Sequence, residues 1–228
     1  MFKWWVLLTL YLTQGLPHGF FSQALPTLLR QQGMSLEAIG LMSLVSLPWV
    51  LKFLWAPLLD HYQPLKRLTA GRIDGHIRKT WIISANAVAA VVLVFIASTP
   101  LEFWINQAAV GLAGALFVLT IFVVTQDIAT DALAVENIAP AQRGLGNSLQ
   151  VAGYRLGMII GGGLLLAVFA QLGWAGTLWA LAVLMILGLI PLWFWQPAAV
   201  KVDKEPVFNH WLGFLRLPGA GAWLLLLL

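Results

Sequence analysis

The stretch TIFVVTQDIATDALAVEN, residues 120 to 137, runs from apolar residues fit for a lipid bilayer into two aspartates four apart, Asp127 and Asp131. A four-residue step returns to the same side of a helix, so both carboxylates point from one face. A charge at the centre of a membrane helix costs on the order of 2.5–3.5 kcal/mol on insertion scales. A chain that keeps two of them there must supply partners or use them.

The surroundings of this stretch are those of a polytopic membrane protein. Of 228 residues, 60% are hydrophobic and 10% charged, against about a quarter charged in soluble domains. The apolar residues fall in long runs rather than alternating stripes, and a spanning helix needs roughly 20 of them. Six runs qualify: Trp4 to Leu29, Leu36 to Leu59, Trp81 to Ser98, Phe103 to Asp131, Gly144 to Ala170 and Ala175 to Trp195. The expected organisation is a six-helix bundle over 1–195, a cytoplasmic loop over 196–216 and, over 217–228, the start of a seventh helix. That last run stops at about half the length of a span, so the chain reads as the N-terminal half of something longer.

Charge sets the orientation. Lys66, Arg67, Arg72, Arg78 and Lys79 follow span two, Arg143 follows span four, and Lys201, Lys204 and Arg216 follow span six, whereas the opposite side holds Arg30. Short cytoplasmic loops carry the Lys/Arg excess, which places the N-terminus in the cytoplasm. Topology accounts for this basic character, and no nucleic-acid partner is expected. Cysteine is absent, and the four histidines (His18, His61, His76, His210) are scattered singly. No metal site, cofactor site or nucleophile-and-base constellation is legible, so an enzyme is not expected.

Two features shape the helices. In span one, GLPHG at 15–19 puts Pro17 mid-span, where a missing N–H and a ring clash predict a kink; Gln14, His18 and Gln23 flank it, either bonding neighbouring helices or lining a solute path. In span five, Gly153, Gly157 and Gly161 recur every four residues and form a smooth strip for close helix packing.

Four ionisable residues lie within spans: Lys52, Asp127, Asp131 and Arg155. At about 1.5 Å per residue, Lys52 is about 12 Å deeper than Asp60, Asp127 about 13 Å deeper than Glu136, and Arg155 about 16 Å deeper than Gly144. Matching depth and zero net charge predict one buried network across spans two, four and five. Such a network is either a static lock between helices or a switch that a proton or solute tips.

GLPHGFFSQALPTLL, IGLMSLVSLPWVLKFLWAPLLDHY, TQDIATDAL and RGLGNSLQVAGYRLGMIIGGG occur in this order and together resemble the AmpG-like branch of the major facilitator superfamily. That branch includes muropeptide permeases, siderophore permeases of the RhtX/FptX type and, more distantly, acetyl-CoA transporters. The resemblance implies an all-α half-bundle built as a three-plus-three repeat, with a second half of the transporter and the lipid bilayer as its partners. It also implies proton-driven import of a sizeable polar solute, such as a muropeptide or siderophore, across the bacterial inner membrane. The proton gradient then takes the place of a cofactor. In that frame Asp60 gates, the four intramembrane charges couple, and Gln14, His18, Gln23, Gln126 and Tyr154 are candidate cavity lining. Ala56 replaces the glycine that usually opens the superfamily's loop motif, and span five lacks the proline of the antiporter pattern. A non-transporting half-length membrane protein, with an assembly or sensor role, is the alternative.

Overall fold

The computed structural model describes residues 2–62 and 77–197, with the isolated positions 213 and 219. The expectations for Lys66, Arg67 and Arg72, for the central loop beyond residue 197 and for the seventh run lie outside the described residues. All regular structure among the described residues is helical. Among the described residues, five helices are long and apolar enough to cross a membrane: Leu36–Leu54, Ile77–Ala97, Ala109–Asn137, Pro140–Ala167 and Phe169–Phe194. They are called here the second to sixth helices. The first comprises Phe2–Gly19, Phe20–Ala24 and Leu25–Gln31 in one continuous run.

Pro17 does not break the first helix. The α-helix continues through it to Gly19, and the irregularity comes as a π turn over Phe20–Ala24, closed by the Leu25 N–H on the Phe20 carbonyl. Pro26 lies just beyond, and the wider turn accommodates its ring and its missing N–H. The helix ends at Gly33, whose φ of 87° suits glycine. There the Met34 N–H reaches the Leu29 carbonyl and Gly33 reaches Arg30, a paired closure of the last turn. Ser35 then caps the second helix by accepting from the Ala38 N–H.

Three expected boundaries move. The second helix is no uniform span: 3₁₀ segments at Ser43–Ser46 and Lys52–Leu54 interrupt it, and a separate turn of helix follows at Leu58–His61. The third starts by Ile77, so Arg78 and Lys79 are helical and buried rather than loop residues. The fourth runs Ala109–Asn137, separated at Ala108 from a short helix, Leu101–Gln107; Asp131 therefore sits inside it rather than at its end. The turn expected between the fifth and sixth spans falls at Gly173, where φ is 66°.

The first helix occupies the centre, packing against the fourth, fifth and sixth, while the third packs against the fourth and sixth. The second helix touches the fourth and otherwise buries little of itself. Leu16, Phe20, Leu93, Leu116 and Leu181 anchor the larger apolar core. A smaller one, with Leu10, Ala129 and Leu133, lies nearer the chain start.

The contact between the first and fifth helices is the closest. A Cβ added at Gly157 would collide with the Leu12 carbonyl and Gly15 Cα, at Gly161 with the Leu16 carbonyl, and at Gly153 with the Leu8 carbonyl. Gly15 and Gly19 meet the backbone of Tyr154 and Met158 in return. Beyond Met158 the fifth helix opens into its own π turn, Ile159–Leu164, which packs on that of the first. The glycine strip read from sequence is therefore a backbone-to-backbone seam. Gly157→Leu should cost about 1–3 kcal/mol or more by overpacking, seen as a lower melting temperature of the detergent-solubilised protein. Gly163→Leu, with open space around Gly163, should leave it unchanged.

Candidate functional site

The charges gather on the half of the bundle nearest the chain start. Lys52, in a 3₁₀ segment of the second helix, donates from Nζ to Asp127 Oδ2 on the fourth helix at 3.0 Å. The Asp127 side chain is 8% exposed and that of Lys52 40% exposed, so the carboxylate is the buried partner. Three residues along, Trp55 donates its indole N–H to Thr125 Oγ1 at 3.2 Å. These two polar contacts tether a helix that has little apolar packing of its own.

Asp131, one turn beyond Asp127, makes a different set of contacts. Its Oδ1 accepts from the Tyr11 hydroxyl of the first helix at 3.2 Å and from Gln150 Nε2 of the fifth at 3.3 Å. Arg155 is not part of this network. It is exposed on the fifth helix and forms no ion pair among the described residues. The glycines of that helix (Gly153, Gly157) take the side facing the first helix, and Arg155, two residues from each, is turned away. The expected four-charge network is thus an ion pair plus a carboxylate held by neutral donors.

A second charge cluster lies at the chain-start end. Arg78 bonds Glu136 Oε1 from Nε at 2.9 Å, the Leu59 carbonyl from Nη1 at 3.3 Å, and Asp60 Oδ1 from Nη2. One guanidinium fork thereby joins the end of the second helix, the start of the third and the end of the fourth. Beside it, Lys79 Nζ donates to the carbonyls of Trp193 and Trp195, at 3.1 and 3.0 Å, where the sixth helix ends.

The remaining candidates separate. His18 is half-buried, its ring centroid 5.6 Å from Trp49, edge-on, and 5.5 Å from Tyr154. It borders a cavity of about 520 Å³ between the first, second and fourth helices, together with Ser22, Ser43, Ser46 and Thr120. Gln14, Gln23, Gln126 and Tyr154 are not among that cavity's walls. Gln126 is buried and bonds Thr130 on its own helix at 3.1 Å. Gln23 is exposed and lies over Gly162. Gln14 is 1% exposed, and its amide nitrogen has no hydrogen-bond partner.

Sequence reasoning missed Arg78, Tyr11 and Gln150. Arg78 was hidden among five basic residues explained by topology. Tyr11 stands three residues before Gln14, on the same helix face, and that spacing was the available signal.

A family model described as acetyl-coenzyme A transporter 1 matches residues 3–172. The anhydromuropeptide permease of Escherichia coli (strain K12) is 35% identical over 182 residues, covering 79% of this chain and 35% of the relative. An uncharacterized protein of Haemophilus influenzae is 36% identical over 177 residues, covering 77% and 38%. Putative transporter AmpG 4 of Rickettsia conorii is 26% identical over 186 residues, covering 78% and 42%. The chain therefore spans well under half the length of these relatives.

Removing one partner of the Lys52–Asp127 pair strands a charge in low dielectric. Lys52→Met or Asp127→Asn should each destabilise by about 1–3 kcal/mol, less than the roughly 3–5 kcal/mol of a fully buried pair because Lys52 is part-exposed. The double variant should recover most of that loss, a coupling that a thermal-melt double-mutant cycle measures.

Proposed function

The chain belongs to the acetyl-coenzyme A transporter 1 family and is AmpG-like, and from that membership we propose that it is part of a proton-driven secondary importer. Its six helices form one half of a major facilitator fold, as two three-helix repeats, and a second half of comparable size completes the solute site. The solute is sizeable and polar, of the muropeptide or siderophore class. The membrane is the bacterial inner membrane, with the N-terminus in the cytoplasm, as the basic residues on that side support.

The observation that carries this reading is the Lys52–Asp127 pair, an ion pair joining two helices within the membrane region of the bundle. A passive apolar scaffold gains little from such a pair, because well-packed hydrophobic residues are often as stable. A transporter gains a contact with two discrete states, made or broken. The Asp60–Arg78–Glu136 cluster supplies a second contact of this kind at the end assigned to the cytoplasm. It joins three helices, so its opening changes their spacing together, and it acts as the gate in which Asp60 participates.

The test is uptake by the intact protein, expressed from its full reading frame in a permease-deficient strain, with radiolabelled anhydromuropeptide and a ferric siderophore supplied separately. One of the two should accumulate, and a protonophore should abolish the accumulation. Asp127→Asn should reduce it by roughly 5- to 150-fold, the range of a 1–3 kcal/mol coupling, with membrane insertion retained. Accumulation indifferent to the protonophore would refute proton coupling. Separately, Asp60→Asn should slow steady-state transport more than it weakens solute binding, read as a drop in maximal rate with little change in half-saturation.

A further inference from the structure

We propose that Asp131 is the carboxylate that takes up and releases the coupling proton, while Asp127 stays ionised as the fixed counterion of Lys52. This deepens the proton-driven reading above and rests on it. The argument begins with charge balance. Lys52 and Asp127 meet at 3.0 Å and cancel. Among the described residues no cation bonds Asp131 directly: its hydrogen-bond partners are a phenol hydroxyl and a carboxamide, both neutral, and Lys52, the cation that acts on it through space, is bonded to Asp127.

The described elements around it bring the following titratable and charged groups. The first helix presents Tyr11; the fifth presents Gln150, with Tyr154 a turn further on and Arg155 turned to the exposed side. From the second helix comes Lys52, engaged by Asp127, and Asp60, engaged by Arg78. The third helix presents Arg78, spread over Asp60, Glu136 and the Leu59 carbonyl, and Lys79, bonded to the end of the sixth. On its own helix the nearest charge is Asp127, a like charge one turn away, which disfavours a second negative charge. Protonation removes that repulsion.

The hydrogen-bond geometry leaves room for the proton. Both donors fall on Oδ1, and Oδ2 accepts none from the described residues. A proton delivered from hydronium to Oδ2 forms one O–H bond, leaves water behind and breaks neither existing contact. The contacts do weaken, because a bond to a carboxylate is about twice as strong as one between neutral groups. Tyr11 and Gln150 belong to the two helices joined by the glycine seam. Loading Asp131 therefore loosens the fourth helix from the first and fifth together. Unloading restores the grip. Gln14, on the Tyr11 face one turn toward the level of Asp127, adds a buried amide N–H without an acceptor. It is a donor in reserve for a carboxylate that shifts along that face.

The test needs no solute. Infrared difference spectra of the intact protein in lipid nanodiscs, stepped from alkaline to acidic buffer, report the carbonyl stretch of a newly protonated carboxylic acid. Asp131→Asn should lose a component of that band, and Asp131→Glu should keep it at a shifted frequency, which separates loss of the acid from loss of the fold. Identical spectra for wild type and Asp131→Asn, or an unshifted component in Asp131→Glu, would overturn the assignment. If the band behaves as expected but the wild type shows no gradient-driven uptake, the transport reading fails while the proton site stands.

Discussion

The close approach of the first and fifth helices is the constraint on which the bundle rests. In lipid, apolar side chains gain little by turning from acyl tails to each other, so helix association relies on tight contact and polar bonds. Gly153, Gly157 and Gly161 lay bare backbone against the carbonyls of Leu8, Leu12 and Leu16. With that seam closed, Tyr11 and Gln150 reach the same oxygen of Asp131. The packing motif and the candidate coupling site are therefore one piece of architecture, and disturbing the first displaces the second.

The remaining contacts divide by depth. Away from the chain start, apolar residues such as Phe20, Leu93 and Leu181 fill the space between the first, third, fourth and sixth helices. Nearer the chain start, a smaller apolar core is joined by polar and ionic bonds: Lys52 to Asp127, Arg78 to Asp60 and Glu136, and Lys79 to the end of the sixth helix. Apolar packing holds its helices in one close-packed arrangement. Polar bonds whose partners can exchange for water or a proton permit alternatives, and the helix that depends on them most, the second, is also the most exposed. Its 3₁₀ interruptions at Ser43–Ser46 and Lys52–Leu54 fit an element held at a few points rather than along its length.

Several features were legible in the residue string because they depend on local spacing or on the solvent alone. Long apolar runs dictate helices in a medium where every backbone group must be satisfied internally. Four-residue glycine spacing dictates a bare face, and Asp127 with Asp131 dictates a shared one. Depth matching also found the Lys52–Asp127 pair, since rise per residue is nearly constant. Four motif blocks pointed to the AmpG-like branch.

The tertiary structure decided matters that rise and periodicity do not encode. Depth alone could not say which way Arg155 points around its helix; the glycine seam turns it outward. Pro17 carried the expectation of a kink, yet the helix continues through it and the distortion lies at the following π turn, just before Pro26 and packed on the π turn of the fifth helix. Arg78 looked like one positive charge among five until three helices converged on it. Local geometry is written in the order of residues. Partnership between distant side chains depends on the rotation and separation of whole helices, and those emerge only when the helices pack.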